Sequence, residues 1–86
     1  MSKYMCTHSV KGLTRDRYAK LAEESQKNSK LRCIHSYANL TEGKIFCVWE
    51  SPKEELLADW FKKMDVPCDC ITKLELEQEG STVLAA

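Results

Sequence analysis

Three observations predict an α+β domain with a four-stranded antiparallel sheet and two helices on one of its faces. Stretches with strand-type and helix-type spacing follow one another as βαββαβ along the 86 residues. Both helical stretches carry a single apolar stripe, so each has one face to bury. The third strand holds five consecutive apolar residues, Ile45-Phe46-Cys47-Val48-Trp49, too few for a buried helix and rich in β-branched and aromatic types. Successive side chains of a strand point to opposite faces, so Ile45, Cys47 and Trp49 lie on one side and Phe46 and Val48 on the other, and both sides require cover.

Residues 3–10 alternate loosely, with Tyr4, Cys6, His8 and Val10 on one face, and read as the first strand, closed by Lys11-Gly12. Thr14 is placed to cap a helix over residues 14–28, because Leu13 and Tyr18 bracket it as a hydrophobic staple and Tyr18, Leu21, Ala22 and Ser25 continue one face. Residues 31–40 form the second strand, with Cys33, His35 and Tyr37 on one face; residues 41–43 turn it into the third strand, 44–50. Ser51-Pro52-Lys53-Glu54 combines a capping box with proline at the first helical position, and Leu56, Leu57, Trp60, Phe61 and Met64 form the stripe of the helix that follows. Pro67 ends that helix by pushing Val66 out of the helical region. Residues 68–77 are the fourth strand, whose Asp69, Lys73, Glu75 and Glu77 suit a solvated edge, and residues 78–86 are a tail, frayed or docked on a neighbour. The expected domain is therefore 1–77, followed by a tail at 78–86.

This element order is the ferredoxin-like pattern, in which two right-handed crossovers place both helices on the same face of the sheet. Two helices cover one face only. Leaving a side chain of Trp or Phe size in water forfeits about 1.5 to 3 kcal/mol each, so a second copy is the expected lid. The sequence thus predicts a homodimer packed sheet on sheet, a dimeric α+β barrel, with a cavity between sheet and helices or at the shared face.

Thirteen basic and thirteen acidic residues cancel with no run of like charge, which leaves no electrostatic footprint for nucleic acid or an anionic membrane. No apolar stretch has signal-peptide length and none approaches the roughly 18 residues of a membrane span, so a cytoplasmic location is expected. Five cysteines, an odd number, fit a reducing compartment better than a disulfide framework.

Gly43-Lys44-Ile45-Phe46-Cys47-Val48-Trp49-Glu50-Ser51-Pro52, the preceding His35-Ser36-Tyr37 and the later Pro67-Cys68-Asp69-Cys70-Ile71 resemble a small bacterial family of ferredoxin-like proteins whose described member binds nickel. The similarity runs from Tyr4 to about Leu74, and Gly-x-Ile-Phe-Cys-x-x-Glu-x-Pro is its most specific part. It implies the same fold and dimer, with a divalent transition metal such as nickel or a small molecule as ligand. His8 and Glu50 match family positions, which makes them the candidate metal ligands. Family members carry a histidine near the end of the second helix, where this sequence reads Asp59-Trp60-Phe61.

His8 and His35 are the only histidines, and each suits a ligand, a general base or a buried hydrogen-bonded residue. If Leu40 opposes Ile45 across the turn, His35 faces Glu50 and Tyr37 faces Val48; a one-residue slip sets His35 beside Trp49 and Tyr37 beside Cys47. Cys68 and Cys70 share a strand face as a soft-metal or redox pair, but a zinc site ordinarily needs a second spaced pair. Cys47, in the densest apolar run, reads as a small core residue. Trp60, Phe61 and Met64 read first as core and second as a ligand pocket. The leading reading of function is a non-catalytic, dimeric protein that binds a metal ion or a small molecule, with His8 and Glu50 for a metal and His35, Tyr37 and Trp60 for a ligand. The competing reading is a cofactor-free oxygenase or isomerase of the dimeric barrel type, with His35 or His8 as base in a pocket lined by Tyr37 and Trp60.

Overall fold

The computed structural model describes residues 1–86. The chain runs β1 (Ser2–Ser9), α1 (Arg15–Ser25), β2 (Arg32–Asn39), β3 (Lys44–Ser51), α2 (Glu54–Lys63), β4 (Cys70–Lys73), β5 (Leu76–Glu79) and β6 (Thr82–Ala85). The first four strands form one antiparallel sheet in the order β2-β3-β1-β4, the expected ferredoxin-like arrangement. No helix is long and apolar enough to cross a membrane.

The core lies on one face of the sheet. Tyr4 and Cys6 of β1, Ile45, Cys47 and Trp49 of β3, and Leu57 and Phe61 of α2 are buried in one cluster, with Tyr18 and Leu21 of α1 packed against it. The strand with apolar residues on both sides splits as its alternation demands: Ile45, Cys47 and Trp49 keep at most 5% of their surface exposed, whereas Phe46 keeps 45%. Tyr37, opposite Phe46 in the register of β2 and β3, is 66% exposed. The sheet therefore presents an uncovered apolar face.

Local signals account for α1. Thr14 is its N-cap, and the Thr14 hydroxyl accepts from the Arg17 N–H at 3.2 Å. The start of α2 differs from expectation. Ser51 does not cap it: β3 continues through Ser51, paired with Ser2, and the N-cap is Lys53 without a side-chain bond. The Ser51 hydroxyl instead accepts from the Lys53 N–H and donates to the Lys53 carbonyl, at 3.2 and 2.6 Å, stitching the turn between strand and helix. Charges at its ends still favour the helix dipole, with Glu54 and Glu55 in the first turn and Lys62 and Lys63 in the last.

Three further departures matter. The turn between β2 and β3 takes the four residues 40–43, which pairs Asn39 with Lys44 and so sets His35 opposite Val48 and Tyr37 opposite Phe46; an irregularity between Cys33 and His35 then shifts the register of Cys33 and Arg32. Neither register expected from the sequence is the one adopted, because the turn leaves Leu40 out of the ladder and every pair up to His35 moves with it. The fourth strand is shorter than residues 68–77: after the Leu74 N–H bonds the Lys3 carbonyl at 2.9 Å, the chain leaves the sheet. Its continuation is no tail but the hairpin of β5 and β6, turned at residues 80–81 with Gly80 at φ +58°. A glycine followed by serine between two strand-forming runs is the signal for that two-residue turn.

Candidate functional site

Between α1, α2 and the inner face of the sheet lies a cavity of about 360 Å³. Its walls are aromatic. Trp49 of β3 and Trp60 of α2 stand 5.0 Å apart between ring centroids, and Phe61 sets its edge against both, 5.7 Å from each. Trp60 and Phe61, successive residues of α2 about 100° apart around its axis, flank the line along which the helix meets the sheet, and strand alternation aims Trp49 up at them. Tyr18 closes the α1 side, its hydroxyl donating to Ser36 of β2 at 2.8 Å.

The polar groups at the floor of the cavity converge on Cys47. In the register of β1 and β3, Cys6 faces Cys47 directly and His8 faces Ile45, so His8 and Cys47 are diagonal neighbours on the inner face. The His8 Nδ1–H donates to the Pro67 carbonyl at 2.9 Å, which turns Nε2 toward the Cys47 Sγ at 3.3 Å. The Trp49 indole N–H donates to the same sulfur at 3.1 Å. Phe61 holds the imidazole edge-on, with ring centroids 4.5 Å apart.

This environment separates the two neighbouring thiols. Hydrogen bonding from Cys6, then from His8 and Trp49, holds the Cys47 thiol well below its ordinary value of 9.0 despite burial. Cys6 moves the opposite way, raised by its bond to Cys47 and by burial, because two thiols in contact cannot both ionise. Burial works against a charged His8, but the Cys47 sulfur and the Pro67 carbonyl outweigh it and raise the imidazole above 6.5. Cys33, without such donors, is pushed up by burial to about 12.

The sequence-derived candidates fall into three groups. His35 borders the cavity through β2, but it faces Val48 and its exposed side chain is on the other side of the sheet, whereas Trp60 and His8 line the cavity. Tyr37 does not: it lies on the uncovered face beside Phe46. His8 and Glu50 are not brought together. His8 faces Ile45 whereas Glu50 faces Lys3, five residues further along β3 and on the opposite face of the sheet, a separation of roughly 16 Å along the strand. Glu50 has Arg32 as its partner at 3.7 Å, and both ring nitrogens of His8 are engaged. Cys68 and Cys70 are exposed and bond to the Cys70 carbonyl and the Thr72 hydroxyl respectively, not to each other. No group of three or more His, Cys, Asp or Glu side chains in the chain can hold a metal ion, so the residues of one chain do not fit a nickel site of several N and O ligands.

Cys47 is the residue that sequence reasoning passed over. Its signal was present in the shared parity of Cys6, His8, Cys47 and Trp49 on the two central strands, but the contact between His8 and Cys47 depends on a register that only the folded sheet supplies.

A family model described as "Nickel responsive protein SCO4226-like" matches residues 4–74. Among solved structures, the chain is similar to the crystal structure of SCO4226 from Streptomyces coelicolor A3(2), with a TM-score of 0.78 and 20% sequence identity over 90% of this chain and 100% of that one. At that identity the likeness is one of fold. No curated protein matches the sequence.

Proposed function

The chain belongs to the SCO4226-like family of nickel-responsive proteins, and we propose that it is a non-catalytic, homodimeric protein that binds a small, flat, largely apolar molecule between its helices and its sheet. The observation that carries this reading is the cavity of about 360 Å³ walled by Trp49, Trp60 and Phe61. That volume falls in the range of small-molecule sites, and aromatic walls with a few convergent polar groups are their usual lining. A metal finds no comparable support within one chain, since His8 and Glu50 are on opposite faces and no group of three or more His, Cys, Asp or Glu side chains gathers to hold an ion.

A second copy of the chain is the occupant of the uncovered face. Phe46, Tyr37, Val48 and Met5 share that face, and the chain has no net charge to oppose self-association. The exposed Leu76, Val83 and Leu84 of the β5–β6 hairpin add apolar surface at the edge of the same domain.

Fluorescence titration tests the binding reading, because Trp49 and Trp60 are the only tryptophans and both line the cavity. Indole and 1-naphthol are expected to change the emission saturably, and Trp60→Ala to weaken the effect at least tenfold. Absence of any saturable change, with native mass spectrometry showing no retained molecule, would remove the reading. Equilibrium dialysis against nickel is expected to show no binding tighter than about millimolar.

A further inference from the structure

We propose that Cys47 and His8 form a thiolate–imidazole nucleophile at the floor of the cavity, one that captures small α,β-unsaturated carbonyl compounds as stoichiometric adducts. The assignment needs the cavity but no resident ligand, so it stands apart from the binding reading.

The geometry is that of an activated nucleophile: a sulfur, a base within hydrogen-bond reach and a third group that orients the base. The sulfur is Cys47 Sγ, the base is His8 Nε2 at 3.3 Å, and the orienting group is the Pro67 carbonyl, 2.9 Å from Nδ1. Trp49 adds what an inert core thiol lacks, an N–H aimed at the sulfur from 3.1 Å. A buried structural cysteine ordinarily sits in apolar surroundings that favour the neutral thiol. Here a thiolate on Cys47 would accept from an imidazolium and an indole together.

Burial then sets the class of reactant. Cys47 is 4% exposed and His8 2%, so a reagent reaches the sulfur only through the aromatic cavity. Bulky or strongly hydrated reagents are excluded, whereas a small planar enone suits the aromatic lining of the cavity. In the reaction, the thiolate sulfur bonds to the β-carbon and the C=C π pair moves to form the enolate. The His8 imidazolium delivers its Nε2 proton to that enolate, leaving neutral imidazole and a saturated carbonyl adduct. Nothing leaves and no oxidant or reductant is consumed. In the reverse direction His8 removes the α-proton and the thiolate departs.

Peptide mapping by mass spectrometry after timed exposure of the whole protein to N-methylmaleimide at pH 6 tests the proposal. Cys47 is expected to be alkylated at least about tenfold faster than the exposed Cys68 and Cys70, neither of which has an imidazole or indole at its sulfur. Its rate is expected to stay nearly level from pH 6 to 8 while that of Cys68, whose thiol burial raises, climbs steeply. His8→Gln should slow Cys47 at least tenfold at pH 6 and restore an ordinary thiol profile. Should that buried variant unfold, Trp49→Phe and the wild-type pH profile carry the same test. The proposal is overturned if Cys47 reacts only in denaturant, or if its rate follows that of Cys68 and Cys70 with pH. Saturable fluorescence changes with indole alongside an unreactive Cys47 would sink this proposal and spare the binding reading; the converse result would do the reverse.

Discussion

Replacing Phe46 by serine tests the self-association on which the uncovered sheet face depends. Phe46 sits in the middle of the central strand with 45% of its surface exposed, so a partner would remove roughly half a phenylalanine side chain from water. Full burial of such a side chain is worth about 1.5 to 3 kcal/mol, so the exposed fraction supplies about 0.7 to 1.4 kcal/mol per copy. A twofold interface contains the residue twice, which raises the loss to about 1.4 to 2.7 kcal/mol, or about ten- to a hundredfold in the dimer dissociation constant. The inner core is untouched, because Ile45, Cys47 and Trp49 point the other way; the circular dichroism of the variant should therefore match that of the wild type. Sedimentation equilibrium over a dilution series measures the constant directly. A wild-type chain that is monomeric at tens of micromolar would refute the reasoning, as would a Phe46→Ser dimer of unchanged affinity. Leu84→Ser, on the exposed hairpin, serves as the comparison: a large effect there with none at Phe46 would move the interface from the sheet to the hairpin.

Three other outcomes follow from the structure. Gly43 has φ +66°, and a Cβ on it would lie 2.5 Å from the Val10 carbonyl oxygen; Gly43→Ala should cost at least about 2 kcal/mol and lower the melting temperature by at least about 8 °C in a thermal scan. Leu57 is fully buried in α2, and Leu57→Ala should cost about 2 to 5 kcal/mol by chemical denaturation. Stability should also fall in acid through the Cys47–His8 pair. Because Cys47 is lowered, its contribution is complete above 9.0 and is lost as pH falls through its folded value; because His8 is raised, its contribution is complete below 6.5 and fades as pH rises through its folded value. Where both change, the two slopes cancel, so the visible effect is a loss on acidification below about 6.5, and the stability difference between wild type and Cys47→Ser should shrink over that range. A difference that widens toward acid would show that the thiolate is not the stabilised form.

Much of the fold is written in short stretches of the sequence. Thr14 caps α1 because a hydroxyl three residues from an amide can bond it whatever surrounds them, and Phe46 faces away from Trp49 because a strand has a period of two. The βαββαβ order leaves the helices one shared face, so the buried parity of β1 and β3 was legible before any coordinate. The signals at Ser51 and at residues 78–86 were also local, but each had two uses: a serine that stitches a turn resembles one that caps a helix, and a short polar run with Gly80 resembles a frayed end until its two halves pair.

The site itself was decided at the tertiary level. His8 and Cys47 lie thirty-nine residues apart, and nothing local says whether an imidazole on β1 meets the sulfur or the next side chain along β3. That choice is made by strand register, which β1 and β3 share in the folded sheet, and which in β2 shifts between Cys33 and His35. A shift of one residue exchanges the faces of a whole strand. For this reason His8 and Glu50, which match one family pattern in sequence, stand on opposite sides of the sheet, while Pro67, Cys47 and Trp49, from two separate stretches of the chain, all meet around a single imidazole and sulfur.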